Sequence, residues 1–179
     1  MCMDPENIPS IGGRETEDSL RDFVTRIPDG SAVVEVGGWL GAGTRPMAEA
    51  LDSRGTTHRM DLFDRFTTTG TEVTKAAKAG VNLKEGQNTI PVVREYLKGI
   101  RQPITFHRGE LLLINWDGGK IGLYVDDAAK SELHFRHMLH SFGPSWIPGE
   151  TIIVLMDYFF WRQREADGRK DPYKFQYNF

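Results

Sequence analysis

The run Val33-Val34-Glu35-Val36-Gly37-Gly38-Trp39-Leu40-Gly41-Ala42-Gly43-Thr44 constrains this chain more than any other feature. A short β-branched segment ends in an acid, spaced glycines follow, and then a helix-forming stretch. That order suits the opening of a parallel α/β sheet. The strand delivers the chain to the sheet's carboxyl edge, and glycines let the backbone turn tightly and approach a ligand with no Cβ in the way. Thr44 is placed to cap the next helix and Pro46 to sit in its first turn. The spacing reads Glu-x-Gly-x-x-x-Gly-x-Gly. The third glycine of the dinucleotide pattern G-x-G-x-x-G is replaced by the Thr44-Arg45-Pro46 stretch.

The remaining punctuation is consistent with one α/β unit. Residues up to about Glu15 form a lead-in, and Asp18 to Arg26 reads as a short helix. Strands are expected at Ala32–Val36, His58–Phe63, Ile104–His107, Ile121–Val125 and Thr151–Met156. Helices are expected at Thr44–Leu51, Thr71–Ala79, Ile90–Leu97 and Lys130–Phe142, with an apolar helical turn or loop at Leu111–Ile114. Alternating strands and helices imply a mostly parallel sheet covered on both faces. The run Ile152 to Met156 reads as a strand buried on both sides. Ligands bind such sheets beyond the carboxyl ends of the strands. Glu35, Asp61, Asp126 and Asp157 each fall at or near such an end.

Bulk properties narrow the class. The 179 residues suffice for one domain with a substantial core. A net charge of −3 gives no basis for general nucleic-acid binding. The single cysteine, Cys2, permits no internal disulfide and suits a reducing cytoplasm. The Thr151 to Phe160 run is broken by Asp157, so no membrane span is expected, and the acidic, polar N-terminus is unlike a signal peptide.

With these residues in view, the chain resembles class I S-adenosylmethionine-dependent methyltransferases, nearest to the macrocin-type O-methyltransferases and their relatives. The resemblance runs from about Ser31 to Tyr158. It rests on the glycine motif, Asp61, His107-Arg108-Gly109-Glu110, Tyr124-Val125-Asp126, Pro148-Gly149 and Leu155-Met156-Asp157-Tyr158, in that order. It implies a Rossmann-like three-layer sandwich with strand order 3-2-1-4-5. It divides the chain into a lead-in and helix (1–30), a cofactor-binding α/β domain (31–158) and a polar, aromatic C-terminal segment (159–179).

The implied roles follow residue by residue. The loop of Gly37, Gly41 and Gly43 would pass against the amino-acid part of S-adenosylmethionine. Glu35 would support that loop or hold the cofactor's amino group. Asp61 would accept both ribose hydroxyls, and Glu110 would lie by the adenine. In metal-dependent members a magnesium ion sits on acids that correspond to Asp126 and Asp157. Asp126 and Lys130 are the catalytic candidates. The acceptor is expected to be a small-molecule hydroxyl, on a sugar or natural product.

Two departures stand out. Relatives often carry a further acid two residues after the one at Asp126, and here that position is Ala128; Met156 likewise replaces an expected acid. The last two strands of the usual seven are also missing. About twenty residues follow Asp157 and end in Lys174-Phe175-Gln176-Tyr177-Asn178-Phe179. That end reads as interrupted, either a truncated product or an edge that a second copy covers.

Bland readings stand beside each of these. The glycine loop could be only a tight connection, Asp61 a helix cap, and Asp126 or Asp127 caps of the next helix. His107 suits a strand-end hydrogen-bonding role better than that of a base. His134, His137 and His140 recur every three residues, so they spiral round a helix and read as a solvated face. Alternative functions are an assembly module with a methyltransferase-like fold, a nicotinamide-dependent oxidoreductase, and a sugar-modifying enzyme of other chemistry.

Overall fold

The computed structural model describes residues 13–55, 58–158, 162 and 165–168. The elements run α1 (Gly13–Arg26), β1 (Ala32–Val36), α2 (Thr44–Arg54), β2 (Met60–Asp64), α3 (Gly70–Lys78), α4 (Ile90–Tyr96), β3 (Ile104–Arg108), β4 (Ile121–Asp126), α5 (Glu132–Phe142) and β5 (Ile152–Leu155). Short 3₁₀ turns occupy Leu111–Leu113 and Gly143–Ser145.

The five strands form one parallel sheet in the order β3-β2-β1-β4-β5. The β-branched and aliphatic residues of β1 and β4 put both strands at the buried centre, where every residue is enclosed. Val36 pairs with Phe63 on one side and Asp126 on the other, Asp64 pairs with Arg108, and Asp126 pairs with Leu155. All five carboxyl ends therefore fall on one edge. The ladder runs one bond beyond them: Gly37 N–H donates to the Phe63 carbonyl (2.8 Å), Asp127 N–H to Val36 (2.8 Å) and Met156 N–H to Asp126 (3.0 Å).

Side-chain alternation divides the core. On one face Val33, Met60, Leu123 and Val125 pack under α1 and α2, through Leu20, Val24, Met47 and Leu51. The α2 residue Arg54 donates to the Val24 and Ile27 carbonyls at 2.6 and 3.0 Å, closing the end of α1. On the other face Val34, Val36, Phe63 and Tyr124 meet the α5 stripe of Phe135, Met138 and Phe142. Each such buried side chain contributes roughly 2–3 kcal/mol. The β2–β3 connection folds α3 and α4 against Leu40 of the glycine loop, which is fully enclosed among Ala76, Val81, Leu83, Val92 and Tyr96.

Four expectations change, the first being that helix α1 begins at Gly13 instead of Asp18. The second strand runs Met60–Asp64 instead of His58–Phe63, because His58 is withdrawn to the Ser31 carbonyl (Nδ1, 2.9 Å). The fifth strand is not buried on both sides: among the described residues it is a sheet edge, and Ile153 is 44% exposed. Helix α5 starts at Glu132 and not Lys130, because Ser131 caps it by accepting the His134 N–H. The C-terminal segment, residues 159–179, lies almost wholly outside the described residues. Among the described residues no helix is long and apolar enough to cross a membrane.

Candidate functional site

The glycine loop leaves β1 at Gly37, where φ is +95° and an added Cβ would sit 2.9 Å from the Ala128 Cβ and from the Asp127 carbonyl carbon. The loop after β4 is packed directly on it. Gly41 is also left-handed, at φ +90°. Gly43 has ordinary helical backbone, so space decides there: a Cβ would meet the Glu35 Oε1 at 2.6 Å. Glu35 lies under the loop, 4% exposed, and accepts the Thr44 hydroxyl at 2.5 Å. Thr44 is therefore not the cap of α2; Gly43 takes that position without a side-chain bond, because the hydroxyl is committed to Glu35. Burial pushes the Glu35 carboxyl up to about 7, against the lowering effect of Thr44.

Asp61 does not reach the loop. It is the second residue of β2, fully buried, and both its oxygens are engaged. Arg59 donates from Nε (2.6 Å) and Nη2 (2.9 Å), and His107 Nε2 lies 2.6 Å from Oδ1. His107 stacks on Phe63 at 4.1 Å, and Arg59 covers the Trp116 ring at 4.9 Å. Asp61 is enclosed, while its partners Arg59 and His107 are 44% and 33% exposed. The carboxylate expected to accept the ribose hydroxyls is thus buried and bonded to Arg59 and His107.

Asp64 is the acid that stands at the carboxyl end of β2. Its Oδ2 accepts the Trp39 N–H of the glycine loop at 3.0 Å, while Oδ1 accepts the Phe66 N–H at 2.6 Å. Each oxygen keeps a lone pair for a further donor. Burial raises its pKa, partly offset by those backbone bonds. Gly109 N–H donates to the Asp64 carbonyl at 3.1 Å, which brings Glu110 to the same edge with its side chain exposed.

The ends of β4 and β5 form the other half of the edge. Asp126 is 2% exposed; its Oδ1 accepts the N–H groups of Ala128 (3.0 Å) and Ala129 (2.9 Å), and Oδ2 lies 3.4 Å from the Tyr124 hydroxyl. These bonds fix the turn after β4 and engage the carboxylate expected to serve as a catalytic group and metal ligand. Lys130 Nζ bonds Asp127 Oδ1 at 3.0 Å and also bonds Asp157. Burial pulls the ammonium down, but Asp127 and Asp157 outweigh it and hold Lys130 above its ordinary value. Burial likewise raises Asp127. Among the described residues no three His, Cys, Asp or Glu side chains converge as metal ligands. Asp126 spends Oδ1 on the turn after β4 and Asp157 is bonded by Lys130, so the two acids expected to share a magnesium ion are each engaged elsewhere. The three α5 histidines also do not converge: His134 bonds Ser131, and His137 Nε2 lies 3.0 Å from the Ile114 carbonyl.

Sequence reasoning missed Asp64 and Arg59. Arg59 carried a legible signal, because residues two apart in a strand share a face and Arg59-x-Asp61 pairs opposite charges there.

Comparison with known proteins agrees with this architecture. No protein-family model matches the chain, and no curated protein matches it in sequence. Solved structures do. The O-methyltransferase NovP aligns over 96% of this chain and 75% of its own, with 15% identity and a TM-score of 0.61. The SAH-bound methyltransferase PaMTH1 of Podospora anserina aligns over 89% of this chain and 58% of its own, with 16% identity and a TM-score of 0.50. The fold is that of the class I S-adenosylmethionine-dependent methyltransferases: a Rossmann-like sandwich with sheet order 3-2-1-4-5.

Proposed function

We propose that this chain binds S-adenosylmethionine at its glycine loop and transfers the methyl group to a hydroxyl of a small molecule, such as a sugar or natural product. The observation that carries the reading is the Asp64 carboxylate, bonded to the loop and keeping acceptor capacity on both oxygens. A 1,2-diol such as ribose suits that carboxylate. The backbone from Gly37 to Gly43 would pass along the amino-acid end, with Glu35 and Thr44 bracing it from below. Glu110 stands on the side where a base would lie.

The sulfonium cofactor supplies an activated methyl group with a good leaving group. The chain's part is positioning and proton handling. Asp127 is the residue for the acceptor's proton: its side chain is 39% exposed, its pKa is raised by burial, and its backbone abuts Gly37. Lys130, held protonated by two carboxylates, orients Asp127 and does not itself act as base.

Calorimetric titration with S-adenosylhomocysteine (SAH) and with NADH tests this reading. Micromolar binding of SAH with none of NADH is expected. Binding of NADH, or no SAH binding by folded protein, would contradict it and favour the oxidoreductase or assembly-module alternative.

A further inference from the structure

Three carboxylates gather where β4 and β5 end, yet their geometry is wrong for a divalent ion. Magnesium needs several oxygens converging at about 2.1 Å in near-octahedral array. Asp126 has its oxygens turned to Ala128, Ala129 and Tyr124. The chain offers a methyl group at Ala128 and a thioether at Met156, neither a hard-cation ligand. The remaining pair, Asp127 and Asp157, already shares a cation, because the Lys130 ammonium bonds both. Those side chains are 39% and 28% exposed, so this clasp stands at the mouth of the edge and not in the core. Lys130 precedes the Ser131 cap of α5, which fixes the backbone from which it reaches across to β5.

We propose that Lys130 is the resident cation of this site. Its ammonium occupies the place between the β4 and β5 carboxylates that a divalent metal would take, and it holds Asp127 and Asp157 in register for the acceptor, so the protein takes up no metal there. The proposal rests on the reading of this edge as the acceptor's side of the methyl-transfer site. Its test uses metal alone, without cofactor or turnover, so failure of one is distinguishable from failure of the other.

The experiment is a Mn²⁺ titration followed by the electron paramagnetic resonance amplitude of the free ion. It compares wild type, Asp157→Asn, Lys130→Ala, Lys130→Gln and Lys130→Ala/Asp157→Asn. The wild type should leave the free-ion signal undiminished up to about 1 mM, the weak end of protein affinities for hard cations. Removing the ammonium should uncover a site that binds Mn²⁺ at least tenfold more tightly than wild type, and the added Asp157→Asn should abolish it. Lys130→Gln serves if the alanine variant does not fold. Saturable Mn²⁺ binding by the wild type that Asp157→Asn removes would overturn the proposal. So would folded Lys130 variants that bind no better than wild type.

Discussion

The Asp64 Oδ2 accepts the backbone N–H of Trp39 at 3.0 Å, tying the last residue of β2 to the glycine loop of β1. Trp39 is held at φ +42°, and Phe66, whose N–H binds the other Asp64 oxygen, at φ +48°. Left-handed backbone costs a bulky residue on the order of 1–3 kcal/mol. One carboxylate therefore fixes two strained residues beside the proposed ribose position. Asp64→Ala should weaken SAH binding at least tenfold, about 1.4 kcal/mol, and reduce stability as well. Calorimetry on the folded variant measures the first and urea denaturation the second.

Arg59→Ala should behave differently. It leaves the Asp61 carboxylate buried with His107 as its remaining side-chain partner. Breaking a buried ion pair costs about 3–5 kcal/mol when both partners are enclosed. Arg59 is 44% exposed, so a smaller loss of about 2 kcal/mol is expected. SAH affinity of the folded fraction should stay within about threefold of wild type, since the cluster lies away from the loop. A large affinity loss would return Asp61 to the cofactor site.

Glu35 gives a pH dependence of defined sign. Its carboxyl is raised from 4.5 to about 7, so between those values the folded state binds the proton that the unfolded state has lost. Stability therefore falls as pH rises through this window, by on the order of 3 kcal/mol in total. Glu35→Gln should remove that slope. Thermal melts between pH 5 and pH 8 should converge at the acid end and diverge at the alkaline end, with the variant melting higher.

Gly37→Ala tests the close approach between the two loops. The new methyl would stand 2.9 Å from the Ala128 Cβ, on backbone at φ +95°. A loss of about 2–3 kcal/mol in denaturant unfolding is expected, from overpacking and left-handed strain together. Gly80→Ala, equally left-handed but in open space, should cost only the backbone part, about 1 kcal/mol.

The glycine motif and the sheet were legible because β-branched runs, spaced glycines and helical stripes are local signals. The second strand shows where that locality ends. Asp61 and Asp64 are three residues apart, so they lie on opposite faces, and ending the strand at Phe63 left Asp64 outside it and unconsidered. Thr44 offered a helix cap by its neighbours, but Glu35, nine residues earlier, claimed its hydroxyl. Lys130 was visible as a residue and not as a clasp, because its second carboxylate comes from the turn after β5, 27 residues later.

The central claim is that the edge from Gly37 to Gly43, closed by Asp64, is the cofactor site. The most direct measurement is a ¹H–¹⁵N correlation spectrum titrated with SAH. The account predicts saturable shifts in the amides of Gly37, Trp39, Gly41 and Phe66, with those of α1 unmoved. A saturable titration whose shifts fall elsewhere, or a spectrum unchanged at millimolar SAH, would contradict it.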